Sequence, residues 1–283
     1  MRCAVVGASG FVGRHVLAEL RRVGVEALAV SRSGASVDGH AGLALDVAAP
    51  PSDPFQALGR PDVVIHLAWG WLQDYRSLAH VETELPTHYR FLAALVRGGL
   101  SRLVATGTCL EYGMMSGPLA ESLQPAPTTP YGFAKDALRR QLGFLRRETP
   151  FEFAWARLFY LYGEGQSARS LYPLLHAAAA RGERTFPMSG GEQLRDYLPV
   201  TEAARLLVAL ALRGGDPGIV NVCSGEPVSV RRLVEGWIAE RGFEISLDLG
   251  RYPYPDYEPL AFWGDRAKLD RTLAGGAEER TQP

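Results

Sequence analysis

Short, unbroken apolar runs alternate with amphipathic stretches through the first half of the chain. RCAVVG, EALAVS, DVVIHLA, SRLVAT and FEFAWARLF are apolar at successive positions, whereas FVGRHVLAELRRV and LPTHYRFLAALV repeat their apolar residues at helical spacing. A strand with apolar residues on both faces is one covered on both sides, and strands of that kind separated by helices make a buried parallel sheet. The pattern therefore predicts an α/β architecture with right-handed crossovers and ligands at the strand carboxyl ends. From about residue 164 the rhythm loosens into GEGQSARS and MSGGEQ turns, a helix over 170–181, helices near 201–212 and 229–240, and a proline- and tyrosine-rich tail, RYPYPDYEP. The run IVNVCS is expected to return as a strand to the first unit.

Composition narrows this picture. With 283 residues the chain buries a large core without staples, and thirty basic against thirty-one acidic side chains leave a formal charge of -1. No global field draws nucleic acid or an acidic membrane, so neither is an expected partner. Cys3, Cys109 and Cys223 are scattered and lack CxxC spacing, which argues against a disulfide framework and against zinc. None of the six histidines forms an HExxH pair, so no metal is expected. The sequence opens directly as a strand, with no leader and no spanning apolar stretch, and a cytoplasmic location is the expectation.

AVVGASGFVG places Gly7, Gly10 and Gly13 immediately after the first strand and at the mouth of the first helix. Glycines there permit a tight turn and close approach of backbone N–H groups to a diphosphate, which the helix N-terminus also favours. The expected fold is thus a Rossmann-type doubly wound parallel sheet with a smaller C-terminal substrate-binding lobe. Residues 1–163, with a returning segment near 198–223, form the dinucleotide-binding domain; 164–197 and 224–283 form the lobe. At the end of the second strand, Ser31 stands where an acid would accept from a ribose 2′-hydroxyl, and Arg32 follows. A guanidinium forks onto a 2′-phosphate, so NADP(H) is expected over NAD(H). Asp46 either meets the adenine amino group or simply starts a turn.

Thr108 follows the strand SRLVAT, and YGFAK supplies Tyr131 and Lys135 four residues apart. On a helix from 131 to 147 the phenol and ammonium share a face, and the ammonium is expected to lower the phenol pKa. The hydroxyl of Thr108 could then hold the oxygen that is reduced or oxidised.

The chain resembles an extended short-chain dehydrogenase/reductase of the NAD-dependent epimerase/dehydratase type, which acts on nucleotide sugars. GASGFVG, VVIHLAW, TGTCLEYG, YGFAK, RLFYLYGEG and RDYLPV match that family's landmarks in order along essentially the whole length. The resemblance implies Thr108, Tyr131 and Lys135 as catalytic residues. It implies cofactor contacts from Gly7, Ser9, Gly10, Phe11, Val12, Ser31, Arg32, Asp46, Val47, Leu67, Ala68 and Thr106, from Tyr131 and Lys135, and from Leu158, Phe159 and Leu161 beside the nicotinamide. For the substrate it implies Trp69, Thr108 and Tyr160, with Arg195 of RDYLPV on the diphosphate. It also implies a homodimer through ELPTHYRFLAALV and DALRRQLGFLRRE. Two family asparagines are replaced, one by Thr83 in VETELPTHY and one by Tyr160.

Counting back five from Gly113 gives the hydroxyl position to Thr108. Family dehydratases follow that hydroxyl with an Asp-Glu pair; Cys109 and Leu110 stand there instead. The family's acid/base cysteine lies two residues after the hydroxyl, a place occupied by Leu110. On an extended chain Cys109 is expected to face away from the sugar as a packing residue, and Glu111 to act structurally or as a cap. What remains is hydride transfer with one proton donor: reduction by NADPH of the 4-keto group of a dTDP-, CDP- or GDP-linked 4-keto-6-deoxyhexose. A 4-epimerase with retained NAD is the alternative, and a nonenzymatic dinucleotide sensor or scaffold is the alternative from another class.

Overall fold

The computed structural model describes residues 1–278. Its first half winds β1 (Cys3–Val6), α1 (Phe11–Arg22), β2 (Ala27–Ser31), β3 (Gly42–Ala44), α2 (Pro54–Ala57), β4 (Val63–His66), α3 (Leu85–Arg97), β5 (Arg102–Thr108), β6 (Gly117–Leu119), α4 (Pro130–Glu148) and β7 (Glu152–Leu158). The remainder comprises β8 (Tyr160–Tyr162), α5 (Leu171–Ala180), β9 (Thr185–Pro187), β10 (Leu194–Pro199), α6 (Val200–Arg213), β11 (Gly218–Val222), β12 (Pro227–Ser229), α7 (Val230–Arg241), β13 (Ser246–Asp248), β14 (Phe262–Gly264) and α8 (Ala267–Glu278).

Seven strands form one parallel sheet in the order β11-β7-β5-β4-β1-β2-β3. The order reverses between β1 and β4, so the crevice at their carboxyl ends is the topological switch point. β1 and β4 are buried at every position, which is why their sequences read as unbroken apolar runs. One core layer packs α1 and α6 on the sheet through Val16, Leu17, Leu20, Leu206 and Leu210; the other packs α3 and α4 through Phe91, Leu95, Leu138 and Leu142. IVNVCS does return to the sheet as the edge strand β11.

A separate cluster of Leu175, Phe186, Val230, Val234 and Trp237 holds α5, β9 and α7 together. Small sheets stitch this part to the large one: β10 pairs with β8 and β12, and β14 pairs with β6. Asp196 is the knot of that stitching. Its carboxylate is fully buried and accepts from the backbone N–H of Ser224, Gly225 and Gly264 and from the Ser224 hydroxyl. Ser224 and Gly225 form a turn with Gly225 at φ 83°, and Ser229 caps α7 by accepting from the Arg232 N–H. Among the described residues, no helix is long and apolar enough to cross a membrane.

Candidate active site

The turn after β1 is shaped by what a side chain would strike. Gly7 has φ 91°, and a Cβ on it would lie 2.7 Å from the Ala68 nitrogen; one on Gly13 would lie 2.2 Å from the Gly7 carbonyl oxygen. Without those atoms, α1 closes on β1 and on Leu67–Ala68, where the Leu67 N–H donates to the Val6 carbonyl. Gly10 caps α1 with no side-chain bond, so the first-turn N–H groups of Phe11 and Val12 keep no intrahelical acceptor. Ser9 and Gly10 are exposed and Phe11 and Val12 half-buried around that end. This cradle fits a dinucleotide diphosphate.

Beyond β2, Ser31 is buried, and its hydroxyl accepts from the Gly34 N–H. Arg32 is exposed and makes no hydrogen bond or ion pair among the described residues. Asp46 is exposed and its carboxylate accepts from the Ala48 N–H, which is a turn; Val47 packs on the core. Leu158 and Leu161 pack on the α1–α6 layer, while Phe159 is buried and donates its N–H to the Val222 carbonyl.

β5 ends at Thr108, and the chain does not continue extended: Cys109–Tyr112 is a tight 3-10 turn. The Thr108 hydroxyl accepts from the Leu110 N–H, and the Glu111 carboxylate reaches back to the Thr108 N–H at 2.9 Å, a reciprocal cap. Glu111 is wholly buried, accepting also from Trp155 Nε1 (2.9 Å) and Arg157 Nε (2.7 Å). Cys109 is buried for a different reason than strand alternation: the turn packs it with Tyr112, Leu119, Phe159, Cys223 and Phe262. Burial pushes its thiol far above the usual range. The spacing Thr-x-x-Glu is the signal that locates this turn in the sequence.

α4 begins at Pro130, capped by Thr129, and brings Tyr131 and Lys135 to the same end of β5. The ammonium does not engage the phenol as expected from their spacing. Lys135 Nζ donates to the Thr106 carbonyl (2.7 Å) and lies 4.1 Å from the Trp69 ring centroid. Burial pushes Lys135 down to about 7, with Glu111 and Glu84 pulling the other way. Tyr131 is pushed above the usual phenol range by burial, then by Tyr75 and Cys109, while the Thr108 hydroxyl favours its ionised form. Its ring stacks on Tyr75 at 5.1 Å and lies 5.0 Å from His80 and 6.3 Å from Trp69. Trp69 is therefore walled in beside Lys135 and does not line the large cavity. Trp71 is exposed, at φ 56°.

Behind these residues runs a buried chain the sequence did not flag. His66 Nε2 meets His88 Nδ1 at 2.9 Å, His88 Nε2 meets Glu84 at 3.1 Å, and Glu84 accepts from the Gly70 N–H at 2.6 Å. Thr83, read as the place of the replaced asparagine, is exposed; its neighbour Glu84 is the residue that faces the loop after β4.

A cavity of about 460 Å³ opens between β10, α5 and the tail, lined by Leu174, Met188, Tyr197, Tyr252 and Pro255 among others. At its inner end Arg195 is buried. Nε and Nη2 donate to Glu258 (3.2 and 3.0 Å), and Nη1 donates to the Leu194 and Leu260 carbonyls. The Tyr160 hydroxyl donates to the other Glu258 oxygen. Tyr257 contacts Tyr75 edge-on at 6.3 Å, so the cavity and Tyr131 are joined through Tyr75, Tyr257 and Glu258. The guanidinium expected to meet a diphosphate is thus engaged by Glu258, which no local sequence signal marks. Among the described residues no group of three or more His, Cys, Asp or Glu side chains could hold a metal ion.

The NAD dependent epimerase/dehydratase family model matches residues 3–223. A dTDP-6-deoxy-L-talose 4-dehydrogenase (NAD(+)) from Aggregatibacter actinomycetemcomitans is 28% identical over 270 residues, 93% of this chain and 99% of that protein. A dTDP-6-deoxy-L-talose 4-dehydrogenase (NAD(P)(+)) from Kitasatospora kifunensis is 29% identical over 289 residues, covering 96% of this chain and 88% of that one. Among solved structures, MoeE5 in complex with UDP-glucuronic acid and NAD superposes with a TM-score of 0.80 at 26% identity, over 97% of this chain and 93% of that one. The sheet order, the glycine turn and these matches agree: the chain belongs to the NAD dependent epimerase/dehydratase family of extended short-chain dehydrogenases/reductases and is an NAD(P)-dependent oxidoreductase.

Proposed function

We propose that the protein reduces the 4-keto group of a nucleotide-linked 4-keto-6-deoxyhexose with NADPH, or runs the same step in reverse. One observation carries this reading. Thr108 and Tyr131 meet at the end of β5, and the three residues after Thr108 supply no acid–base pair: Leu110 has no proton to transfer, burial keeps the Cys109 thiol protonated, and Glu111 is consumed by three donors. Elimination of water needs an acid and a base at the sugar; ketone reduction needs one donor. The relatives that are 6-deoxy-L-talose 4-dehydrogenases favour the same carbon, and their names favour a dTDP-linked substrate.

The cofactor supplies or accepts the hydride when bound, and the protein supplies position and protons. The α1 N-terminus and glycine turn hold the diphosphate, and the unpaired Arg32 takes the 2′-phosphate of NADP(H). The hydroxyl of Thr108, fixed by its cap, donates to the sugar oxygen. Tyr131, kept protonated by burial, gives its proton to that oxygen as it becomes a hydroxyl. Lys135 neutralises charge left on the phenolate. The sugar diphosphate enters the 460 Å³ cavity, with Arg195 as its cation once Glu258 yields. The exposed side chains of Phe133 and Phe144 on α4 favour pairing of two copies through α4.

The reading is tested by mixing purified protein, NADPH and dTDP-4-keto-6-deoxyhexose and following absorbance of the reduced cofactor. Consumption with formation of a dTDP-6-deoxyhexose is expected. Tightly bound NAD with interconversion of two 4-hydroxy sugars, and no net oxidation, would support the 4-epimerase instead.

A further inference from the structure

Lys135 is an ammonium without a counter-ion: among the described residues no carboxylate lies within ion-pair distance of it. What it has is the Thr106 carbonyl at 2.7 Å and the Trp69 ring at 4.1 Å, with Trp155 farther off at 6.0 Å. An indole face attracts a cation through its quadrupole, more strongly when water is excluded, as it is here with Lys135 only 3% exposed.

The indole is also held rigidly. Its Nε1 donates to His80 Nδ1 at 3.0 Å, and His80 Nε2 must then donate to the Asp74 carbonyl at 2.9 Å, so His80 is fixed in one neutral tautomer. The His88 ring stacks on Trp69 at 4.6 Å with 14° between planes. His88 donates to Glu84, which leaves its Nδ1 to accept from His66, so the ring stacked on the indole is neutral as well. Burial holds both His66 and His88 below the usual imidazole range. His80 and Glu84 belong to a π turn, His80–Glu84, an irregularity that turns both side chains toward the loop carrying Trp69.

We propose that Trp69 is a positioning residue whose indole face, braced by His80 and His88, seats the Lys135 ammonium and keeps it charged beside Tyr131. The inference rests on reading Lys135 as part of the reaction machinery. Charged and titratable groups face Lys135 from each packed element: His66 at the end of β4, Glu84 in the π turn, His88 on α3, Glu111 in the turn after β5 and Tyr131 on α4 itself. Glu111 and Glu84 favour its charge through space; His66 and His88, being neutral, add no repulsion. Trp69 supplies the direct contact that those two distant carboxylates do not.

The chain contains only two lysines, Lys135 and Lys268, so lysine labelled with 13C at Cε gives two side-chain signals, assigned with K268R. In the wild-type protein the Lys135 Hε protons are expected upfield of those of Lys268, displaced by the indole ring current; their absence from that position overturns the proposal without any variant. In W69L the titration midpoint of Lys135 Cε is expected to fall by about one unit. W69F, which keeps a weaker π face, falls by less. The alkaline limb of kcat/KM follows the NMR midpoint in each variant. A midpoint in W69L equal to that of wild type overturns the proposal. Full turnover in K135M would instead defeat the catalytic reading of Lys135 while leaving the NMR shift in W69L intact, so the two failures are distinct.

Discussion

In the proposed reaction Tyr131 is the proton donor to the sugar oxygen, so Tyr131→Phe should lower turnover by about 10²–10⁴-fold while leaving NADPH affinity unchanged. Cofactor fluorescence titration beside steady-state rates checks both halves. Arg32 is exposed and unpaired, and its exchange for serine should weaken NADPH binding by roughly ten- to a hundredfold and NADH binding hardly at all. Lys135 gives a stability prediction. Burial depresses its folded-state pKa to about 7 from the ordinary lysine value of 10.5, so the unfolded chain binds more protons between those values. The sign is positive: stability rises with pH through that window, and Lys135→Met should flatten the rise in denaturant midpoints measured from pH 7 to 10. Little of this was visible in the sequence at the level of single residues. The four-residue spacing placed Tyr131 and Lys135 on one helix face, but it could not show that the ammonium turns to Trp69 and Thr106, because those partners lie 66 and 29 residues away.

At the level of elements, the strands were legible because each is covered on both faces, and the glycine turn because a Cβ on Gly13 has nowhere to go. Gly13→Ala should therefore cost about 1–3 kcal/mol and weaken cofactor binding, as the new carbon meets the Gly7 carbonyl. The turn at Cys109–Tyr112 was missed as a turn, since Cys-Leu reads as a continuing apolar strand; the Thr108–Glu111 capping pair was the available clue. Glu111 joins a turn to β7 through Arg157, with both side chains wholly buried. Replacing Glu111 with alanine leaves Arg157 buried and charged without its carboxylate, and the expected loss is about 3–5 kcal/mol in urea unfolding. Arg195 and Glu258 illustrate the opposite limit. Arg195 is on β10, and Glu258 lies 63 residues further on, in a tail of prolines and tyrosines whose path no periodicity fixes.

Over the whole molecule, the parallel sheet presents the glycine turn after β1 and the start of α4 at the carboxyl ends of its strands, and the smaller cluster of α5, β9 and α7 closes a cavity over them. The two are tied by Asp196 and by β6–β14, which keeps Tyr160, Arg195 and Glu258 facing the end of β5. That arrangement gives the account its central claim, a single reversible hydride exchange at carbon 4 of a nucleotide-linked 6-deoxyhexose. The most direct test follows the atom itself. Reduction of dTDP-4-keto-6-deoxyhexose with NADPH deuterated at nicotinamide carbon 4 should give a dTDP-6-deoxyhexose carrying one deuterium, located at sugar carbon 4 by NMR. Deuterium at another carbon, or turnover that leaves the label on a retained cofactor, would contradict it.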